Sequence, residues 1–460
     1  MKDSRQLFGT DGIRGVAGEF PLTPESVYII GRALGHDLVR NNAQAQVVIG
    51  QDTRESSNWI ADRIALGLTS CGVRVASAGV ITTPGVAYLA RSREFAAGVV
   101  ISASHNPWTD NGIKVFSGDG YKLPDARELS IEKEIFGLLQ DSSAVGSGPE
   151  EAATPTLPGS AELRHAYINW LSNSLTADLG RLRVLVDCAN GAATAEAPEL
   201  FRRSGVPAKF LHASPDGKNI NENCGALHPE NVSQAIARQK GKFDLGVTFD
   251  GDADRALFSD AEGRVVNGDG VLLLAAREMQ ARGVLAKSLV VATTMSNMGL
   301  EIALKRSGIR MLRANVGDKY VLEEMQKSGA TLGGEQSGHI IFRDGDATTG
   351  DGLLTALRVM EIMARSGRSL SELVGDLKVF PQVIQNVRVR EKVPFTQVPA
   401  IQQTIQAAER ELDGNGRVVV RYSGTEALAR VMVEAEEEAQ MRRIAAAIAE
   451  SIRSALGTGS

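Results

Sequence analysis

The chain has 460 residues, which at about 100 to 200 residues per domain predicts three or four domains rather than one core. Hydrophobic residues make up 43% of it and charged residues 23%, a balance that excludes a disordered or collagen-like chain. Lys and Arg number 50 against 55 Asp and Glu, so no excess of positive charge exists to attract nucleic acid or an anionic membrane surface.

The start of the chain contains no apolar segment typical of a secretion signal, and no apolar run approaches the roughly 20 residues of a membrane span. The three cysteines, Cys71, Cys188 and Cys224, form no Cys-x-x-Cys pair. Neither a disulfide framework nor a thiolate zinc site is therefore indicated. We expect a cytoplasmic protein without nucleic-acid or membrane partners.

Short apolar runs, each followed by a helical pattern, recur along the first two-thirds of the chain. They lie at residues 47–49, 98–101, 184–186, 245–249 and 289–291. Strands that alternate with helices at this spacing predict parallel or mixed α/β sheets with crossover helices. Residues 141–160 lack apolar periodicity and are rich in Ser, Gly, Pro, Ala and Glu, which indicates a domain boundary.

The pattern changes after residue 370. Helices are predicted before this point at 299–306 and 320–327. Three strands and two helices are predicted after it, at residues 383–389, 418–421, 429–434, 398–412 and 437–456. We therefore predict three similar mixed-sheet α/β domains and a smaller C-terminal α+β domain. The expected domains are residues 1–155, 156–255, 256–370 and 371–460.

A polar loop follows the second predicted strand. Pro107 disfavours a helical conformation at Asn106, so residues 102–107 are predicted to present Ser104 and His105 at the end of that strand. Ser and Asn are common in ordinary turns, and a turn without function is the alternative. No Gly-x-Ser-x-Gly surrounds the serine, which argues against an α/β-hydrolase nucleophile.

Three carboxylates, Asp250, Asp252 and Asp254, directly follow the apolar run at 245–249. In open α/β sheets, ligands bind beyond the carboxyl ends of the strands. Three closely spaced carboxylates repel one another unless a cation neutralises them, and oxygen ligands select a hard ion such as Mg²⁺. An acidic surface turn is the alternative. An EF-hand loop is excluded, because Arg255 stands where such a loop requires Gly.

A glycine-rich segment at residues 333–339 carries Glu335, Ser337 and His339 just before another apolar run. Glycines allow the backbone to approach a ligand closely. The chain has only six histidines, and two of them fall in Gly- or Ser-containing loops after strands. A hairpin turn with an incidental histidine is the alternative interpretation.

The predicted strand near residue 420 ends in a segment that carries Arg421, Ser423, Gly424 and Thr425, with Arg430 nearby. Guanidinium groups, hydroxyls and backbone N–H groups made accessible by glycine are what a phosphate monoester needs for charge and hydrogen bonding. The alternative is a polar hairpin with a solvated arginine.

Several nucleotide and metal motifs are missing from the sequence. It contains no Gly-x-x-x-x-Gly-Lys-Ser/Thr loop, no Gly-x-Gly-x-x-Gly after a strand and no His-Glu-x-x-His. A hard-metal site, an oxygen nucleophile and a phosphate site remain. Together they indicate phosphoryl transfer without ATP.

In order, residues 102–107, 250–255, 334–339 and 421–426 resemble the four signature loops of the α-D-phosphohexomutases. Residues 8–15 resemble the branch of that family that acts on amino sugars, and the similarity covers nearly the whole chain. The resemblance implies four domains around a central cleft, with one loop in each. It also implies interconversion of glucosamine 6-phosphate and glucosamine 1-phosphate, which serves UDP-N-acetylglucosamine biosynthesis.

The resemblance assigns a role to each matched residue. Ser104 is the phosphorylated serine, and its phosphate binds one Mg²⁺ per chain together with Asp250, Asp252 and Asp254. The groups near the transferring phosphoryl are Arg14, His105, Lys114 and Arg255. The groups near the sugar are Glu335, Ser337 and His339. The non-reacting phosphate is held by Arg421, Ser423, Gly424, Thr425 and Arg430.

The implied reaction passes through glucosamine 1,6-bisphosphate, which also serves as activator, and Lys114 and His339 are the candidates for general base and acid. Two positions depart from the family pattern: Ala427 replaces a usual Pro, and Trp108-Thr109 replaces a usual Phe-Tyr pair. Neither change removes a charged or nucleophilic group. A phosphoglucomutase or phosphomannomutase and a non-catalytic sugar-phosphate sensor are the rival functions, and a homodimer is one option for the oligomeric state.

Overall fold

The computed structural model describes residues 6–9, 11–140, 159–343, 345, 347–423 and 427–458. Most of the expected boundary at 141–160 lies outside these ranges, as do Gly424 and Thr425. The chain forms two compact units. The larger contains residues 1–295 and 309–375, and the smaller contains 296–308 and 376–460.

The first sheet of the larger unit has six strands in the order β1-β2-β6-β5-β3-β4. The strands are Phe8–Gly9 (β1), Gly12–Val16 (β2), Gln46–Gln51 (β3), Arg74–Val80 (β4), Ala97–Ile101 (β5) and Asp110–Ser117 (β6). Strands β4, β3 and β5 are parallel neighbours, and the others pair antiparallel. We call each sheet of the larger unit, together with its helices, a block. The helices of the first block are Pro24–Asn41, Ser57–Ser70, Thr83–Ser92 and Asp125–Gln140.

The second sheet has five strands in the order β11-β10-β9-β7-β8. They are Val184–Asp187 (β7), Ala208–Leu211 (β8), Leu245–Phe249 (β9), Ala256–Ser259 (β10) and Val265–Val266 (β11). The accompanying helices are Ala161–Asn173, Ala193–Arg203 and Glu230–Arg238, with a 3₁₀ turn at Gly225–Leu227. Because β10 and β11 extend this sheet, the second block continues beyond residue 255, which is the end of the domain predicted from the sequence.

The third sheet has four strands in the order β13-β12-β14-β15. They are Leu289–Thr293 (β12), Arg310–Ala314 (β13), Leu332–Gly334 (β14) and Ile340–Phe342 (β15). The helices of this block are Gly268–Ala281, Asp318–Ser328, Gly352–Ser366 and Leu370–Val374, with a 3₁₀ turn at Ala286–Ser288. Strands β14 and β15 form an antiparallel pair, and they are joined by the glycine-rich segment.

The smaller unit contains a three-stranded antiparallel sheet in the order β16-β18-β17. Its strands are Gln382–Arg388 (β16), Gly416–Tyr422 (β17) and Leu428–Ala435 (β18). Its helices are Met298–Arg306, Pro399–Leu412 and Glu438–Leu456, with a 3₁₀ turn at Phe395–Gln397. Three mixed α/β sheets and a smaller α+β unit confirm the predicted fold class.

Burial explains why the strand signals were continuous apolar runs. Every residue of β5, β9 and β12 is buried, as expected for inner strands covered on both faces. Side chains also fix where helices begin: Thr82 accepts a hydrogen bond from the Gly85 amide at the start of Thr83–Ser92. Among the helices that the structure describes, none has the length and apolar character of a membrane span.

Candidate active site

The serine loop after β5 and the acidic loop after β9 contact each other within the larger unit. Ser104 is buried, and its Oγ donates a hydrogen bond to Oδ2 of Asp250 at 2.6 Å. The Ser104 backbone has a φ of +54°, a left-handed conformation that is costly for a residue with a side chain. Asn221 Nδ2 helps to hold it by donating to the Ser104 and Asn106 carbonyls at 2.9 and 3.1 Å.

Close backbone packing brings the two loops together. A side chain on Gly251 would place its Cβ 2.3 Å from the carbonyl oxygen of Ser104. Only glycine fits there without displacing one of the loops. This requirement explains the glycine between the first two aspartates.

The three aspartates form a buried cluster, which excludes the acidic surface turn. Asp250 and Asp252 are fully buried and Asp254 is 7% exposed. One carboxylate oxygen of each lies within 4.8 Å of the others. Within the described part of the chain, Oδ1 of Asp252 and Oδ1 of Asp254 accept no hydrogen bond although both are buried.

A divalent cation fits this cluster. Burial, together with the charges of Asp254 and Asp252, raises the pKa of Asp250 well above its usual value. Such a shift expresses mutual repulsion in a site shielded from water, which a hard cation would relieve. Unpaired buried carboxylate oxygens are also the ligands that Mg²⁺ prefers. The residues present therefore suit magnesium.

Lys114 lies against the acidic cluster and is itself buried. Its Nζ is 2.8 Å from Oδ2 of Asp252, 2.9 Å from Oδ2 of Asp11 and 3.9 Å from Oδ2 of Asp254. Burial acts to lower the pKa of this ammonium, but the three carboxylates outweigh it and raise the pKa. Lys114 is therefore positively charged in the resting site.

Three residues that the sequence analysis did not single out extend this charge network. Lys122 Nζ is 2.5 Å from Oδ1 of Asp11 and 2.6 Å from Oδ2 of Asp318. Asp318 Oδ2 lies 3.8 Å from Nε2 of His339. The only sequence signal was the position of Asp11 inside residues 8–15. The network links the first block to the third through alternating charges.

The His339 side chain is 3% exposed, and its ring contacts a backbone amide and a carboxylate. Its Nε2 accepts a hydrogen bond from the Gly350 amide at 3.0 Å, which requires a neutral ring with its proton on Nδ1. Burial lowers its pKa, but Asp254, Asp318 and Glu335 outweigh burial and raise the pKa to about 9, which favours the imidazolium. The ring thus contacts a backbone donor on one side and the Asp254 carboxylate on the other, which makes His339 a candidate for proton transfer.

The other residues predicted near the transferring phosphoryl group are His105, Arg14 and Arg255. His105 Nδ1 lies 3.4 Å from Oγ of Ser104. Burial and the neighbouring Arg255 and Arg14 lower the pKa of His105. Arg14 Nη2 binds Oδ2 of Asp11 at 2.5 Å, and Arg255 Nε lies 3.8 Å from an oxygen of Asp254. The structure thus brings His105 to the serine and Arg255 to the aspartate cluster, whereas Arg14 contacts Asp11.

The glycine-rich segment is indeed a hairpin connection, yet its histidine is not incidental. Glu335 Oε1 accepts a hydrogen bond from the Gly317 amide at 3.0 Å, and Ser337 Oγ donates to Oε2 of Glu335 at 3.4 Å. Glu335 and His339 both line a cavity in the larger unit. The hairpin geometry and a role in a site are therefore compatible.

This cavity has a volume of about 430 Å³, within the range of small-molecule sites. The predicted residues on its wall are Arg14, His105, Asp254, Arg255, Glu335 and His339. Ser104, Lys114 and Ser337 do not line it. The cavity is thus bordered by both cations and carboxylates, a composition that suits a ligand with phosphate and hydroxyl groups.

The predicted phosphate-binding residues lie in the smaller unit. Arg421 on β17 and Arg430 on β18 are direct cross-strand partners. Like charges at such positions repel each other, and an anion bound by both guanidinium groups would relieve the repulsion. Ser423 is buried, and its carbonyl accepts a hydrogen bond from Lys392 at 2.7 Å. Gly424 and Thr425 lie outside the described residues.

Comparison with known protein families matches four parts of the chain. The model described as phosphoglucomutase/phosphomannomutase, alpha/beta/alpha domain I, matches residues 5–141. The models for domain II, domain III and the C-terminal domain of the same family match residues 165–263, 267–380 and 385–451.

Curated relatives are similar over almost the full length. The phosphoglucosamine mutase of Koribacter versatilis is 63% identical over 457 residues, which cover 99% of this chain and 98% of the relative. The phosphoglucosamine mutase of Solibacter usitatus is 52% identical over 454 residues, which cover 99% and 100%.

Solved structures share the fold. A phosphoglucomutase/phosphomannomutase family protein from Burkholderia thailandensis has 25% identity and a TM-score of 0.79, covering 98% of this chain and 99% of its own. The Aspergillus fumigatus N-acetylphosphoglucosamine mutase, in complex with GlcNAc-6P and magnesium, has 20% identity and a TM-score of 0.65, covering 99% and 97%.

Proposed function

Because the chain belongs to the phosphoglucomutase/phosphomannomutase family, we propose that it interconverts glucosamine 6-phosphate and glucosamine 1-phosphate. Family membership makes it an intramolecular phosphotransferase, an isomerase. The amino-sugar substrate is supported by the relatives with 63% and 52% identity, both of which are phosphoglucosamine mutases. The reaction would supply UDP-N-acetylglucosamine biosynthesis in the cytoplasm.

The contact between Ser104 and Asp250 carries the mechanistic proposal. A hydroxyl held 2.6 Å from a buried carboxylate, beside three acidic groups suited to a metal, is placed to exchange a phosphoryl group with a ligand in the adjoining cavity. Asp250, Asp252 and Asp254, together with phosphorylated Ser104, would hold one Mg²⁺. When bound, the ion would neutralise charge on the phosphoryl oxygens.

Phosphorylated Ser104 gives its phosphoryl group to the free hydroxyl of the sugar phosphate. The bond from phosphorus to the serine oxygen breaks, a bond to the sugar oxygen forms, and the product is glucosamine 1,6-bisphosphate. The bisphosphate then turns around, and its other phosphoryl group returns to the serine. The two transfers leave the enzyme phosphorylated and consume no net phosphate.

Electrostatic stabilisation and substrate positioning would account for most of the rate enhancement, because negative charge in the transition state spreads over the phosphoryl oxygens. Arg14, His105, Lys114 and Arg255 supply positive charge or hydrogen-bond donors around the serine. The sugar hydroxyl must lose a proton and the serine oxygen must regain one when the transfer reverses. His339 and Lys114 are assigned to these proton transfers.

The sugar and the non-reacting phosphate of the substrate would bind to different residues. Glu335 and Ser337 would contact sugar hydroxyls. Arg421, Ser423, Gly424, Thr425 and Arg430 would bind the phosphate that does not react. Because that phosphate belongs to carbon 6 in one half-reaction and to carbon 1 in the other, its site must recognise the phosphate rather than one face of the sugar.

The decisive experiment measures kcat/KM for glucosamine, glucose and mannose 6-phosphates in the presence of Mg²⁺ and a trace of the corresponding 1,6-bisphosphate. We expect the amino sugar to be the best substrate. A preference for glucose or mannose 6-phosphate would make the protein a phosphoglucomutase or phosphomannomutase. Absence of turnover and of a phosphorylated form by intact-mass measurement would favour a sugar-phosphate sensor. Light scattering would show whether the homodimer forms.

A further inference from the structure

A second group of metal-ligating side chains lies in the second block, apart from the three clustered aspartates. Asp187 ends β7, His212 follows the parallel neighbour β8, and Cys224 lies on the connection that follows. Because β7 and β8 run in the same direction, the first two residues occupy the same edge of the sheet. One ligand atom from each of the three lies within 4.8 Å of the others.

Asp187 and His212 present their ligand atoms side by side. The backbone amides of Ala189 and Gly225 donate to the Asp187 carboxylate at 2.8 and 3.2 Å and fix its orientation. His212 Nδ1 lies 3.0 Å from Oδ2 of Asp187 and is shielded from solvent. The two groups therefore form an ion pair when the ring is protonated. A metal ion bound between them would take the place of that proton, because metal ligands bind in their deprotonated form.

The donor set determines which ion fits. A carboxylate oxygen, an imidazole nitrogen and a thiolate sulfur together suit a borderline ion rather than Mg²⁺, and zinc accepts all three. Asp187 and Cys224 are fully buried, whereas the His212 side chain is 36% exposed, so water can reach the site as a fourth ligand. We propose that Asp187, His212 and Cys224 bind one Zn²⁺ ion.

The proposed zinc site adjoins the segment that supports the serine loop. His212 and Cys224 lie on either side of Asn221 in sequence. The side-chain Nδ2 of Asn221 donates hydrogen bonds to the Ser104 and Asn106 carbonyls. A metal bound to both flanking residues would restrict this segment and thereby help to hold the left-handed serine. This site does not depend on the proposed sugar substrate. Positions 187, 212 and 224 form no short motif, so zinc could not be predicted from local spacing.

Cobalt substitution tests the proposal directly. The full-length protein is stripped of metal, supplied with excess Mg²⁺ to occupy the three-aspartate cluster, and titrated with Co²⁺. We expect one Co²⁺ per chain to produce a near-ultraviolet thiolate-to-cobalt charge-transfer band, which Zn²⁺ then abolishes. Cobalt bound to aspartate oxygens alone cannot produce this band. Absence of the band from the wild-type protein would overturn the proposal without the need for any variant.

Two cysteine variants identify the thiolate. Cys224→Ala should lose the band, whereas Cys188→Ala, which removes a buried thiol next to Asp187 in sequence, should retain it. His212→Asn should weaken Co²⁺ binding by more than about 10-fold. A band that survives in Cys224→Ala, or that disappears in Cys188→Ala alone, would overturn the assignment. Mutase activity of the Mg²⁺-loaded wild-type protein reports separately on the proposed function.

Discussion

The Ser104 hydroxyl donates a 2.6 Å hydrogen bond to the Asp250 carboxylate, although 146 positions separate the two residues in sequence. Ser104 lies in the loop after β5 of the first sheet, and Asp250 begins the acidic loop after β9 of the second. Their contact joins a candidate nucleophile to a candidate metal site.

Ser104→Ala should reduce kcat by at least about 10⁴-fold, because removal of a nucleophile eliminates the step that it performs. The variant should fold normally and acquire no phosphate by intact-mass measurement. Ser117→Ala is the control, since Ser117 pairs with Ala97 at the opposite end of β5 from the serine loop. A phosphorylated and active Ser104→Ala protein would refute the nucleophile assignment.

Asp252→Asn should raise the Mg²⁺ concentration needed for half-maximal activity by more than about 10-fold, because one carboxylate ligand is lost. Activity measured over a magnesium titration reports the change. Asp260→Asn is a matched control: Asp260 is buried and follows β10, but its carboxylate accepts hydrogen bonds from the Glu262 and Arg264 amides in a turn. An unchanged magnesium requirement in Asp252→Asn would contradict the proposed ligand set.

Gly251→Ala should reduce kcat by about 100-fold. The added Cβ would clash with the Ser104 carbonyl oxygen and displace the serine by up to about 1 Å, and a displacement of that size misaligns a reacting group. Kinetics at saturating substrate and Mg²⁺ measure this effect. Gly137→Ala, on a helix where a Cβ meets nothing within 4 Å, should leave kcat unchanged. Equal kcat values for both variants and the wild type would show that the close approach is not required.

Arg421→Ala should chiefly raise KM, since it removes a charge-assisted contact to the non-reacting phosphate. Such contacts are worth roughly 1.5–3 kcal/mol, which corresponds to about a 10- to 150-fold increase in KM. Arg388→Ala removes an exposed arginine at the end of the other edge strand, β16, and should change neither constant. If Arg421→Ala keeps a wild-type KM, the phosphate is bound elsewhere.

Asp351→Asn tests a buried carboxyl that accepts hydrogen bonds from the Leu354 amide and the Tyr167 hydroxyl. Burial raises its pKa to about 6, from an ordinary value of 3.8. The folded state therefore holds the proton more tightly than the unfolded state. This contribution to stability is complete below pH 3.8 and disappears as the pH rises through 6, a loss of roughly 3 kcal/mol.

The asparagine variant removes this titration while retaining a side-chain acceptor at the helix start. Its melting temperature should exceed that of the wild-type protein at pH 7.5, and the difference should shrink as the pH falls toward 4.5. Thermal melts of both proteins across this range measure the trend. A difference that is independent of pH would show that Asp351 does not titrate as argued.

Much of the fold followed from local patterns in the sequence. The run at 245–249 coincides with β9, and the helix expected at 398–412 is observed at Pro399–Leu412. Both signals are strong because the strand is buried throughout and the helix exposes one polar face. The extent of the second sheet was harder to predict, because β10 and β11 are short and lie beyond the acidic loop.

Residues of the candidate site could be predicted from the sequence only where they form a pattern among neighbouring positions. Asp250, Asp252 and Asp254 alternate directly after a strand, and that pattern implies a cation before any coordinates are known. Asp318 and Lys122 left no such pattern. Each is an ordinary charged residue in sequence, and its importance comes from a neighbour that is distant along the chain.

The sequence by itself determined the order of strands and helices, the acidic loop and the residues that resemble the four signature loops, since burial and local charge repulsion act on neighbouring positions. The tertiary structure decided which loops share a site, because contacts between loops of different sheets depend on packing between segments that are distant in sequence. Ser104 contacts Asp250 and Lys122 contacts Asp318 in this way. Asp187 and His212 come together for a different reason, because the parallel strands β7 and β8 place them at one edge of the second sheet, where Cys224 joins them without a sequence motif.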